Sequence, residues 1–511
     1  MPMTEPRPAR QPDLATARRL SATLIVFGLV LSAALTLLLI VRLAPTGVPG
    51  EWEWPWRLPD FPCPPTTLLV LPVGAVPLAL FLWLWRRPDC SRRAAAGLVA
   101  LCCLASATTM LLLEAEEPLP PLHLATATAS LPATGYFGFA TAVPDVRSIL
   151  VALSGRETPS PLPPRVKTHP PGPVLFYFLG MRALDQWPEL TVAAEDWAAR
   201  RHGISPARFQ ALSQWTAVPS VAAYHFGPAI ILGMLCTLLG ALLPLTVYAA
   251  VAALHGRRAA LIGALCAASI PSLTVFIPSI DGMAAVLGMT AVAVWLWALR
   301  DSRPWTYALA GLALAAAIFW SFGVLALGVA MAAAALPSLR ASDSRRQVRR
   351  GVLAAAGTFV GVFVILYVAG GYSVLGNVRM MAHWQSLDMA HAQRAYAAWL
   401  TGNLYDTMMF MGPALLLAVG AMLPLAARLS ATARHYLAGG AIALGLLWLS
   451  GSTLGEVGRI WLFMMALLLP GAPLALAELE DRHARPLVVL LVLAQVALTV
   501  TIHCRLALVR A

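Results

Sequence analysis

Asp145 heads the run Asp145-Val146-Arg147-Ser148-Ile149-Leu150. About twenty residues later comes Lys167-Thr168-His169-Pro170-Pro171-Gly172-Pro173. A carboxylate in a surface loop takes a proton from a hydroxyl nucleophile. Lysine or histidine beside a Pro-Pro turn is held in a stiff frame, and the glycine lets another group come close. A cation held there binds a phosphate oxygen. Plain alternatives stand beside both readings: Asp145 caps a short helix, and the proline turn launches an interfacial helix with Lys167 snorkelling to headgroups. Lys167 is the only lysine among 36 basic residues.

Further groups extend the list. Asp281 follows Ile277-Pro278-Ser279-Ile280 at the head of a long uncharged run, where the helix dipole alone accounts for an acid. Glu456 and Arg459 close the short loop 451–459. A guanidinium fits phosphate bidentately, although an i,i+3 pair with Glu456 is equally available. Glu114, Glu116 and Glu117 are rival bases just past a helix end, and the loop near 370–405 carries His383, Trp384, Asp388, His391, Arg394 and Tyr396. No ligand spacing supports a metal, no glycine-rich phosphate loop is present, and no cofactor is expected. The seven cysteines follow no framework; Cys63 and Cys504 are the two expected on the outer side.

These residues must be positioned by apolar helices. The chain of 511 residues is 59% hydrophobic and only 12% charged, against roughly 25% for soluble domains. A bilayer span needs about 20 apolar residues. About thirteen such segments begin near 21, 67, 94, 226, 259, 282, 304, 322, 352, 407, 436, 460 and 486. The expected fold is an all-α polytopic membrane protein. The net charge of +12 marks no nucleic-acid partner, because the arginines sit at alternate helix ends as the positive-inside rule requires. That phase puts the N-terminus in the cytoplasm and the loops near 44–66, 114–224, 370–405 and 451–459 outside. The expected organisation is a disordered N-terminus over 1–18 and three helices over 19–113. A long outer loop with interfacial helices follows over 114–224, and the remaining helices occupy 225–511. Within the long loop, Val174–Leu184 is too short to span, and Asp145–Leu153 reads as a short helix. Trp52, Trp54 and Trp56 read as an interfacial aromatic belt. High alanine and the preference for arginine point to a GC-rich bacterial genome, and so to the cytoplasmic membrane.

The order of these motifs resembles the GT-C superfamily of membrane glycosyltransferases. It is closest to the group of protein O-mannosyltransferases and lipid A aminoarabinose transferases. Pro144-Asp145 resembles the acid that opens a juxtamembrane helix in the first large outer loop. His169-Pro170-Pro171 through Tyr177 resembles the basic Pro-Pro turn that follows it, with His169 standing where the family has lysine. Pro278-Ser279-Ile280-Asp281 resembles the second acid, and Arg459-Ile460-Trp461-Leu462-Phe463 with Pro470 the late arginine. Three helices precede the large loop here, where the family pattern has one. The resemblance implies a GT-C-like bundle, a polyprenyl-phosphate-linked sugar as donor, and a glycan, lipid or protein hydroxyl as acceptor. It implies Asp145 as general base, Lys167, His169 and Arg459 at the donor phosphate, and Asp281, Tyr177, Glu456 and His383 in support. The reading from another class is a lipid transporter or flippase. Ion-coupled carriers, however, usually place ionisable residues inside the membrane, and here the charges lie in loops.

Overall fold

The computed structural model describes residues 13–58, 64–87, 91–130, 135–155, 162–216, 221–278 and 280–508; residues 1–12, Cys63 and Ser279, named above, lie outside them. The described chain is almost wholly helical. Its one sheet is a two-stranded ribbon, Gly47–Val48 against Trp52–Glu53.

Among the described residues, eight helices are long and apolar enough to cross a bilayer: Leu14–Ile40, Pro65–Trp85, Arg92–Ala115, Ala223–Leu254, Ile280–Asp301, Phe322–Arg340, Ser342–Gly370 and Asp481–Arg505. They correspond to eight of the thirteen expected segments. The other five are shorter, broken or less apolar. The segment near 259 divides into Arg257–Ala268 and Pro271–Val275. Pro304–Trp320 has 17 residues. The segment near 407 breaks at Gly412, with φ 86°, into Tyr396–Met411 and Pro413–Gly420. Ala431–Leu449 carries Arg434 and His435 in its first turns. The segment near 460 becomes Val457–Ile460, Leu462–Leu468 and Gly471–Glu478. A composition window merges such pieces because it does not see a local turn.

Large apolar side chains are exposed on the outermost helices, among them Ile365 at 66% and Val368 at 78%. Such a surface is compatible with hydrocarbon and costly in water. Small residues let the inner helices approach: Gly240 lies against Gly282, and a Cβ at Gly311 would meet the Ala355 carbonyl at 2.1 Å.

The chain has two charged faces. One carries the arginine-rich helix ends. The other, here the loop face, carries the helices Pro120–Ala129, Tyr136–Ala142, Val146–Ala152, Pro164–Lys167, Gly172–Leu184, Pro188–His202 and Pro206–Thr216. Gly172–Leu184 buries Val174, Tyr177, Phe178 and Leu184 within this layer. Of the three tryptophans read as an interfacial belt, Trp52 and Trp56 are half-buried and Trp54 turns inward. Trp54 is buried, meets Trp52 edge-on at 4.5 Å, and packs on Phe276 and Phe410. Its indole N–H finds a carboxylate there, which a lipid-facing ring would not have.

Candidate functional site

The central feature is an arginine–carboxylate cluster at the loop-face end of the Asp281 helix. Arg459 Nε lies 3.2 Å from Asp281 Oδ2, and Arg459 Nη2 donates to Glu456 Oε2 at 3.2 Å. Arg165 Nη2 approaches the same Glu456 at 3.2 Å. These residues come from three distant stretches of chain. Their side chains are between 19% and 37% exposed, so the cluster is shielded but reachable. Tyr136 is fully buried beside it, within the field of Asp281, Arg165 and Arg459.

Backbone anchors hold the cluster. Gly455 N–H donates to Asn403 Oδ1 at 3.0 Å, and Asn403 Nδ2 donates to the Thr453 carbonyl at 2.7 Å. Gly458 N–H faces Asp406 Oδ2 at 3.4 Å, and Trp54 Nε1 donates to Asp406 Oδ1 at 2.9 Å. Arg394 reaches the Leu454 carbonyl and lies over Trp52 and Trp399. Glu456 itself has φ 57° and ψ 14°. That left-handed conformation costs a side-chain-bearing residue about 1–2 kcal/mol. Burial alone would raise the Glu456 carboxyl, but Arg459, Arg165 and Arg394 hold it below the usual carboxylate range.

The His169 turn borders the cluster. A Cβ at Gly172 would meet the Phe319 carbonyl oxygen at 2.4 Å, so glycine is required by the close approach of that backbone. Trp320 Nε1 donates to the Ile280 carbonyl at 3.0 Å, which ties the same helix end to Asp281. His169 Nδ1 donates to the Arg165 carbonyl at 2.9 Å, and its ring meets Tyr136 edge-on at 5.5 Å. Burial, then the nearby Arg165 and Arg459, push its pKa down to about 4. His169 is therefore neutral at pH 7, and its Nε2 is left as an acceptor. As a neutral ring bonded to the Arg165 backbone carbonyl it carries no charge for a phosphate, whereas its residue type had suggested a cation.

The other expected residues divide. Lys167 points elsewhere: its Nζ sits 3.8 Å over the Trp384 ring. Asp145 is the N-cap of Val146–Ala152, fully exposed, accepting from Ser148 N–H at 2.8 Å. The preceding Pro144 carbonyl accepts from Arg182, near the C-terminal end of Gly172–Leu184. Ten residues of helix separate Arg182 from the His169 end, about 15 Å. Asp145 is thus not gathered into the cluster, and its capping bond accounts for its type. Tyr177 is a buried core residue whose hydroxyl meets Cys236. His383 is exposed on Val374–Ala392, against Trp384.

A second polar cluster holds the rival acids. His123 Nδ1 lies 3.0 and 3.1 Å from the two Glu114 oxygens, and Glu117 pairs with Arg57. His503 Nδ1 is 3.9 Å from Glu117. These five side chains line a small cavity of about 40 Å³, together with Val275 and Ile277. Burial would lower His123, but Glu114 and Glu117 together hold it above its ordinary value. Glu116 caps the end of Arg92–Ala115 outside this set.

Sequence reading missed Arg165, Asp406, Tyr136 and His123, and named Arg394 only as part of its loop. Arg165 stood two residues before Lys167, and positive-inside logic needs no arginine on that side; that was the available signal. Among the described residues no group of three or more His, Cys, Asp or Glu forms a metal site. Cys504 is disulfide-bonded, while Cys102, Cys103, Cys236 and Cys266 are free. No protein-family model matches the chain, and no curated protein matches its sequence.

Proposed function

We propose that this chain is a membrane glycosyltransferase that takes its sugar from a polyprenyl-phosphate donor on the loop face. One observation carries the reading. Arg165 and Arg459 converge on Asp281 and Glu456 beside the His-Pro-Pro-Gly turn, at the end of the apolar helices. There a lipid-linked phosphate meets guanidinium donors while its chain stays in hydrocarbon. The disulfide at Cys504, at the loop-face end of its helix, supports an oxidising compartment for that face.

In the proposed step the acceptor hydroxyl attacks the anomeric carbon. The bond from carbon to phosphate oxygen breaks, and configuration inverts. Asp281, at the head of the long helix Ile280–Asp301 and 3.2 Å from Arg459 Nε, takes the hydroxyl proton. The donor phosphodiester carries one negative charge, and the departing monoester gains a second. Arg165 and Arg459 are aimed at charge that grows in the transition state, which accelerates the step rather than merely binding substrate.

The test is release of polyprenyl phosphate from a polyprenyl-phosphate sugar by the full chain in nanodiscs, with mixed acceptors. Asp281→Asn is expected to lose about 10²–10⁴-fold, and Asp145→Asn to stay near wild type. The reverse pattern would return the base to Asp145, and loss with Glu114→Gln alone would move it to the second cluster. Transfer of intact donor across vesicles without consumption would replace the reading with a carrier.

A further inference from the structure

The arginine-rich face holds a recess that the proposed reaction does not use. It has a volume of about 920 Å³ and lies where three helix ends meet: Val70–Trp85, Arg257–Ala268 and Asp481–Arg505. Arg86, Arg87, Arg257, Arg258, Arg482 and Arg485 line it, and among the described residues Asp481 is the only acid in the lining. Asp481 pairs with Arg258. The rest of the wall is apolar: Phe81, Leu84, Leu261 and Pro486.

The positive-inside rule explains arginines at helix ends. It does not explain why six of them, from segments hundreds of residues apart, close round one cavity. Arg303, Arg345, Arg346, Arg349 and Arg350 obey the same rule without lining it. Two tryptophans lie under the charges, with Arg258 3.8 Å over the Trp85 ring and Arg87 3.9 Å over Trp83. Such stacking orients a guanidinium toward an anion; Arg258 also gives one N–H to Asp481, and Arg482 gives its Nε–H to Glu480.

Depth identifies the anion. Arg482 and His503 lie at opposite ends of one helix, 21 residues apart, or about 31 Å. That is the thickness of a hydrocarbon core, and His503 belongs to the loop-face cluster. The recess therefore lies at headgroup level of the opposite leaflet. Beneath it Leu490 and Leu493 present exposed apolar surface, 49% and 44% open, along which acyl chains can lie.

We propose that this recess binds the headgroup of an anionic glycerophospholipid from the leaflet on the arginine-rich face. Its phosphate is held by the arginines and its acyl chains lie on the Leu490–Leu493 surface. The experiment uses the full chain in detergent, titrated with phosphatidylglycerol, phosphatidylcholine or inorganic phosphate, and reads retained lipid by native mass spectrometry. Wild type is expected to retain phosphatidylglycerol and not phosphatidylcholine. The variant R86Q/R87Q/R482Q/R485Q is expected to lose more than about tenfold in retention. The same charge change elsewhere on that face, R345Q/R346Q/R349Q/R350Q, is expected to retain the lipid. Should the quadruple recess variant fail to fold, R86Q/R485Q serves, with loss expected in the same direction. Equal loss in both quadruple variants would mean diffuse surface charge and overturn the site. Equal retention of both lipids would overturn it as well. Displacement of lipid by millimolar inorganic phosphate would show a soluble anion site and overturn the lipid assignment.

Discussion

Asp406 offers the sharpest test of how the cluster is built. Its carboxyl is 1% exposed, between the Trp54 indole N–H and the Gly458 N–H. The helix Tyr396–Met411 that carries it lies on the loop face, outside the eight candidate spans. Burial, aided by the nearby Glu456, pushes its pKa up to about 7, against 3.8 for a free aspartate; the two hydrogen bonds only partly oppose this. The sign follows. A raised carboxyl favours the folded state most when protonated, so its contribution is full below the unfolded value and is lost as pH rises through about 7. About three units correspond to about 4 kcal/mol. Asp406→Asn fixes the neutral form. It keeps an acceptor for Trp54 but leaves Gly458 N–H without one, at about 1 kcal/mol. The variant is therefore expected to be more stable than wild type at pH 8 and slightly less stable at pH 3, below the unfolded aspartate value. Thermal unfolding in nanodiscs at the two pH values reads the crossover. A variant equally destabilised at both would refute a titrating Asp406 and leave it a plain hydrogen-bond acceptor.

Three further outcomes follow from the same geometry. Gly458→Ala puts a Cβ 2.1 Å from the Phe410 ring, so it should destabilise by about 1–3 kcal/mol and displace Arg459; a variant with unchanged melting and unchanged turnover would contradict that packing. Glu456 is held low by arginines, so its stabilisation is present above the ordinary carboxylate pKa and lost as pH falls through the depressed one. Glu456→Gln should flatten the acid limb of the melting profile, and an unaltered limb would assign acid loss to other groups. Lys167→Gln should cost about 1 kcal/mol through the lost Trp384 contact and leave polyprenyl phosphate release within a few-fold of wild type; a loss comparable to that of Arg459→Gln would place Lys167 at the phosphate after all.

Sequence alone determined the class of the molecule and which residues were worth following. Composition and hydropathy report long apolar helices directly, so all eight of the long apolar helices were among the thirteen segments read as spans. The Pro-Pro-Gly turn and Arg459 stood out because each departs from what its segment requires. Tertiary structure decided which of these residues meet. Arg165, Asp281, Glu456 and Arg459 gather across nearly three hundred residues, and no local pattern encodes such a distance. Asp145 shows the opposite case: its local signal was strong because a helix N-cap and a catalytic acid use the same residue in the same place. His169 looked cationic by type, yet burial beside two arginines makes it neutral. Residue type sets what a side chain can do; dielectric and neighbours, which only the fold supplies, set its charge and its partners.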